Sequence, residues 1–172
     1  MLHGEHVTLR AFRSEDLPLL NAWANDLETE LLSGGAPPTP RPQEHTAAVW
    51  ERRQGDKDSI DFIIEADGKP IGECGLFAPD TVARTVEFGI TLGDKDYWGR
   101  GYGSEATALA VDYAFTHRNV RKVHLSVLSN NPRAMAAYTK VGFVEEGRQR
   151  EHVWNGGGYV DLVLMGIIRP QA

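Results

Sequence analysis

Residues 97–105, Tyr-Trp-Gly-Arg-Gly-Tyr-Gly-Ser-Glu, carry the densest chemical signal in the chain. Gly99, Gly101 and Gly103 alternate just ahead of a long stretch with helical periodicity. Glycine has no Cβ, so the backbone can turn tightly and leave successive N–H groups uncovered. A helix starting at the same place adds unpaired amides and the positive end of its dipole. Such a turn suits an anion. A pyrophosphate would meet the amides of Gly99, Arg100, Gly101, Tyr102, Gly103 and Ser104, and the Arg100 guanidinium would add a charge-assisted contact.

Glycine spacing alone leaves a structural turn and a nucleotide site both open. Gly101-Tyr-Gly-Ser-Glu-Ala106 formally fits G-x-G-x-x-A, but a dinucleotide site needs a strand ending directly before it and an acidic residue about 20 positions on. The strand pattern here stops near Leu92, and 120–125 contains no carboxylate. No G-K-[ST] follows, so the phosphate loop of nucleotide triphosphatases is excluded as well.

Other reactive residues point to little. Cys74 is the only cysteine, which rules out an internal disulfide and a cysteine zinc cluster. It lies in an apolar strand pattern with no adjoining histidine, so packing explains it better than nucleophilic catalysis. The six histidines show no H-E-x-x-H or other metal spacing, and no metal is expected. A net charge of −6 lacks the footprint of a nucleic-acid binder. It suits a cationic substrate such as an amine, as well as simple solubility. The start, Met1-Leu-His-Gly-Glu-His6, has neither the basic stretch nor the apolar run of a signal peptide. No apolar run is long enough to span a membrane. A cytoplasmic protein with no membrane partner is expected, folded as one domain over 1–172.

The surrounding elements follow from periodicity. Val7, Leu9 and Ala11 alternate in a first strand over His6–Phe12. Ser14 is placed to cap a helix carrying Leu17, Leu20, Trp23, Ala24 and Leu27, with Glu15 and Asp16 in its first turn. A short helix near Glu28–Ser33 runs into the proline-rich loop 34–42, and a third helix spans Pro42–Gln54. Strands Ser59–Ala66 and Pro70–Phe77 flank an Asp67-Gly68 hairpin turn, and Val82–Leu92 follows. Helix Gly101–His117, strand Arg121–Leu128 and helix Asn131–Val141 come next, the last stopped by Gly142. Strands Phe143–Arg148 and Tyr159–Ile168 close the chain. Hairpins followed by helical crossovers predict a mixed α/β (α+β) sheet flanked by helices. An edge strand near the C-terminus leaves a homodimer open.

Three segments carry a resemblance: Val86-Glu-Phe-Gly-Ile90, Tyr97–Ala106, and Asn131-Pro-Arg-Ala-Met-Ala-Ala-Tyr138-Thr-Lys-Val-Gly-Phe143. Together they resemble the signature segments of the GCN5-related N-acetyltransferases (GNAT), in order and over nearly the whole chain. Thr8–Asp16 and Gly158–Asp161 further resemble the branch of ribosomal-protein N-terminal acetyltransferases (RimJ/RimL-like). One departure is Trp98, which stands where the family pattern carries Gln or Arg.

The resemblance implies a GNAT fold, a mostly antiparallel sheet of about seven strands splayed between its fourth and fifth, Val82–Leu92 and Arg121–Leu128. It implies acetyl-CoA as co-substrate, with the pantetheine paired to the backbone of Ile90, Thr91 and Leu92, the pyrophosphate on Gly99–Ser104, and Asn131 bonding the pantetheine or phosphate region. An amine would attack the thioester directly, with Glu87 as general base and Glu73 in reserve, either one acting directly or through water. Tyr138 occupies the general-acid position. The expected activity is acetyl transfer to a primary amine, on a protein N-terminus or a small molecule. A non-catalytic acyl-CoA sensor, or transfer of another acyl group such as succinyl, fits the same motifs.

Overall fold

A computed structural model describes residues 1–34 and 37–170. Strand β1 (Leu2–His3) precedes β2 (Thr8–Arg10), and the two pair antiparallel. β2 ends early because the chain leaves it through a buried charge cluster. Arg13, and not Ser14, takes the cap position of the 3-10 turn that follows. Asp16 organises this turn: its carboxylate accepts two bonds from Arg10 at 2.8 Å and one from the Arg13 amide at 2.8 Å. Arg10 reaches on to Glu65 at 2.7 Å, tying the turn to the sheet. Burial alone would raise the Asp16 carboxyl; the Arg10 bonds and the Arg13 amide hold it below its ordinary value.

Helices α1 (Leu17–Ala24), α2 (Leu27–Ser33) and α3 (Gln43–Gly55) come next. Asp26 caps α2, accepting from the Thr29 amide at 2.9 Å. Of the proline-rich loop predicted after α2, Gly35 and Ala36 lie outside the described residues. Leu20 of α1 and Trp50 of α3 pack on Ile63 of strand β3 (Ile60–Ala66), which places the helices on that face of the sheet.

β3 and β4 (Lys69–Asp80) form the expected hairpin. Asp67 and Gly68 both have positive φ, 51° and 74°, as a two-residue turn matched to strand twist requires. β4 continues through a bulge over residues expected to be loop. β5 (Thr85–Leu92) accordingly starts late, and Val82 lies in the turn, 94% exposed.

After the glycine turn come α4 (Tyr102–His117), β6 (Lys122–Leu128), α5 (Pro132–Val141), β7 (Val144–Asn155) and β8 (Gly158–Ile168). The strands form one eight-stranded sheet in the order β1-β2-β3-β4-β5-β6-β8-β7. The strand beyond the expected seven is β1.

Every neighbouring pair is antiparallel except β5–β6. That parallel pair joins only Thr85–Glu87 to Lys122–His124. Beyond it the two strands part, leaving the facing backbone edges of Phe88–Leu92 and Leu125–Leu128 without each other. The main core lies on the α4 face, where Ala106, Ala110 and Ala114 let the helix approach Val86, Phe88, Val123 and Leu125. Among the described residues no helix is long and apolar enough to cross a membrane.

Candidate active site

The glycine turn is braced before it begins. The Trp23 indole occupies the space where Gly93 would carry a Cβ, so α1 packs directly on the end of β5. Lys95–Tyr97 form one 3-10 turn, capped by Asp94. The Tyr97 hydroxyl donates to Asp67 at 2.8 Å and Lys69 pairs with Asp94 at 3.0 Å, so the β3–β4 hairpin tip holds the turn from one side. Trp98 Nε1 donates to the Leu92 carbonyl at 2.7 Å, closing the end of β5. Gly99 and Gly101 then take φ of 70° and 92°, a region that costs other residues free energy. The first amides of α4 have no partner within the helix and remain available.

The turn opens on a cleft of ≈ 420 Å³ that follows the parting of β5 and β6. Phe88–Leu92 form one wall, and Leu128, Ala134 and Tyr138 the other. Gly99, Gly101, Gly103 and Ser104 close one end, and Thr29, Leu32 and Gly34 approach from α2 and its cap. Ile90, Thr91, Leu92, Asn131 and Tyr138 therefore come together with the glycine amides as the sequence implied.

Three expected residues lie elsewhere or are otherwise engaged, and a fourth, Tyr102, offers only the backbone amide expected of it. Arg100 turns away from the cleft: its guanidinium lies over the Tyr97 and Tyr102 rings, 5.5 and 5.4 Å from their centroids, and donates to the Asp96 carbonyl. The Tyr102 ring packs edge-on against Tyr97, leaving only its backbone facing the turn. Asn131 lines the cleft, but its side chain is committed: Oδ1 caps α5 by accepting the Ala134 amide, and Nδ2 donates to the Leu32 carbonyl at 3.3 Å. Glu87 sits on the last rung that still joins β5 to β6, opposite His124, and is not part of the cleft wall.

Glu73 also lies outside that wall but is placed differently. It is the cross-strand partner of Thr91, which does line the cleft, and faces α3. Arg53 of α3 donates to it at 2.9 Å. Burial raises the Glu73 carboxyl, and nearby Asp61 and Glu30 add to this, against the opposing pull of Arg53. The Glu73 side chain keeps 27% of its surface exposed.

Tyr138 is buried, and burial pushes its phenol up to about 12. It makes no hydrogen bond with another described residue, which leaves its hydroxyl free for a ligand. Among the described residues, the charged ones on the cleft wall are Arg133 and Lys140, and no carboxylate lines it. Arg133 lies within the Asn131–Phe143 segment, but its amphipathic helix pattern singles out no role for it. Its pairing with Trp98 is visible only in three dimensions.

A family model described as the acetyltransferase (GNAT) domain matches residues 6–144. The chain belongs to the GNAT acetyltransferases. Spermidine N(1)-acetyltransferase of Escherichia coli K12 is 32% identical over 123 residues, which is 72% of this chain and 66% of the E. coli enzyme. A crystal structure of spermidine N-acetyltransferase from Vibrio cholerae, with CoA and spermine, superposes with a TM-score of 0.87 at 27% identity, covering 96% of both chains. A Bacillus subtilis chain, YdaF, provisionally named a ribosomal N-acetyltransferase, is 28% identical over 71% of this one and 66% of its own length. The eight-stranded mixed sheet with helices on both faces is thus a GNAT fold, as expected from the sequence.

Proposed function

We propose that this chain, acting as one domain, is an acetyl-CoA-dependent N-acetyltransferase whose acceptor is the primary amine of a small polyamine. The observation that carries the proposal is the cleft itself, which joins an anion-binding turn to a buried tyrosine along an unpaired strand edge. Backbone groups on such an edge need partners, and the amides of a pantetheine arm supply them at Ile90–Leu92. Amides of Gly99–Ser104 hold the pyrophosphate. A backbone N–H of β5 beside the thioester carbonyl stabilises the oxyanion.

A polyamine nitrogen has a pKa near that of lysine, about 10.4, so a base must take its proton before attack. Glu73 fits that role better than Glu87. Burial raises it above the ordinary carboxylate value and it neighbours the cleft through Thr91, whereas Glu87 lies beneath the point of parting. Arg53 steadies the carboxylate from behind. Tyr138 then donates a hydrogen bond to the departing sulfur. A phenol near 12 holds its proton more tightly than a thiol, at about 8.5, so Tyr138 stabilises the thiolate more than it protonates it.

The polyamine class is supported by the named relatives and by the carboxylates Glu30, Asp61 and Glu73, which lie close enough to act on one another behind Thr91. The YdaF match favours a second reading, acetylation of a protein N-terminus in the RimJ/RimL manner. Thiol release and product mass with spermidine, spermine and N-terminal peptides separate the two. Turnover of peptides alone overturns the polyamine reading. Binding of acetyl-CoA with no acceptor turned over makes the domain a sensor.

A further inference from the structure

Arg133 stands on the cleft wall with a guanidinium that no described residue engages through a hydrogen bond or an ion pair. It lies in the first turn of α5, 3.7 Å from the centroid of the Trp98 ring. That ring is itself fixed by its bond to the Leu92 carbonyl. Arg133 makes no hydrogen bond or ion pair with another described residue, and partial desolvation lowers its pKa. Glu28 acts on it only from a distance and is already held by Lys95 at 2.8 Å. Lys69, Lys95 and Arg100, the other cations near the turn, are occupied by Asp94, by Asp26 and Glu28, and by the two tyrosine rings. Lys140, the second cation on the wall, lies about two helical turns further along α5. With no carboxylate on the wall, the cleft is electropositive inside a chain of net charge −6.

A planar guanidinium stacked on an indole keeps its N–H edges free and loses little entropy on meeting an oxyanion. We infer that Arg133, laid on Trp98, is the phosphate-binding cation of the acyl-CoA cleft and does what Arg100 was expected to do. The inference rests on the acyl-CoA reading above. It also gives Trp98 a use: where the family pattern has Gln or Arg, this chain has an aromatic platform and brings the cation in from α5.

The experiment compares the full chain with Arg133→Ala and Arg133→Lys. Calorimetry measures CoA and dephospho-CoA binding, and kinetics uses acetyl-CoA and acetyl-pantetheine. Arg133→Ala should weaken CoA binding and raise KM for acetyl-CoA about tenfold or more, the weight of a charge-assisted bond. Its kcat and its KM for acetyl-pantetheine, which lacks phosphates, should not change. Lysine should restore part of the loss. A defect that disappears with dephospho-CoA assigns the contact to the 3′-phosphate, and one that persists assigns it to the pyrophosphate. Equal CoA affinity in wild type and Arg133→Ala overturns the inference, as does an equal KM rise with acetyl-pantetheine. Failure of the wild type to bind CoA overturns the acyl-CoA reading itself.

Discussion

The phenol of Tyr138 and the carboxylate of Glu73 are both shifted upward by burial, with opposite chemical consequences. A raised phenol remains a donor across the working pH range. A raised carboxylate becomes a better base, because its conjugate acid is weaker. Tyr138→Phe should therefore lower kcat about 10- to 100-fold, the weight of a hydrogen bond to a charged group, and leave acetyl-CoA binding unchanged. Loss of CoA affinity in that variant would point to packing as its main role. For Glu73 the readout is the pH profile. The rising limb of kcat/KM should lie above the ordinary carboxylate range, and Arg53→Met should move it higher still by removing the one cation that holds the carboxyl down. A rising limb that ignores Arg53 would exclude Glu73 as the base.

The turn between β5 and α4 was legible in the sequence because its requirement is local: only glycine accepts φ of 70° and 92° without strain. Gly101→Ala meets no neighbouring atom within 4 Å, so its cost is backbone strain alone. About 1–3 kcal/mol should appear as a higher KM for acetyl-CoA with kcat preserved. Gly93→Ala should do more harm, because the added methyl displaces the Trp23 indole and with it α1; a thermal melt distinguishes the two. The Asp67-Gly68 hairpin, α4 and α5 were legible for the same local reasons. Long-range partners hid the rest. Asp16 looks like an ordinary first-turn carboxylate until Arg10 and Glu65 are seen beside it. Arg100 looks like the anion ligand until its ring contacts are known, and Arg133 looks like surface. Glu73 and Glu87 share one face by strand alternation, but only the register of β5 on β6 shows which of them lies next to the opening.

Across the whole molecule, carboxylates of two kinds compete to set stability against pH. Asp16, Asp26 and Glu105 are held below their ordinary values, Asp26 at about 2, chiefly through its bond to Lys95. A lowered carboxyl contributes stability that is complete above its unfolded pKa and is lost as pH falls through the folded value. Glu73 has the opposite sign: raised in the folded state, it subtracts stability as pH rises from about 4, its unfolded value, through its folded pKa. Asp16→Asn leaves the buried Arg10 guanidinium without its main partner, a loss of about 3–5 kcal/mol at neutral pH. In a chain of this size that lowers Tm by about 10 °C, and the gap to wild type should narrow toward pH 2. Glu73→Gln should do the reverse. It removes a charge that burial disfavours, so Tm should rise at pH 7 by an amount that shrinks toward zero near pH 4, and kcat should fall if Glu73 is the base. Functional sites often sacrifice stability in this way. A Glu73→Gln variant less stable than wild type at neutral pH would show that its pairing with Arg53 outweighs its burial, and that the carboxylate is there to hold α3 to the sheet.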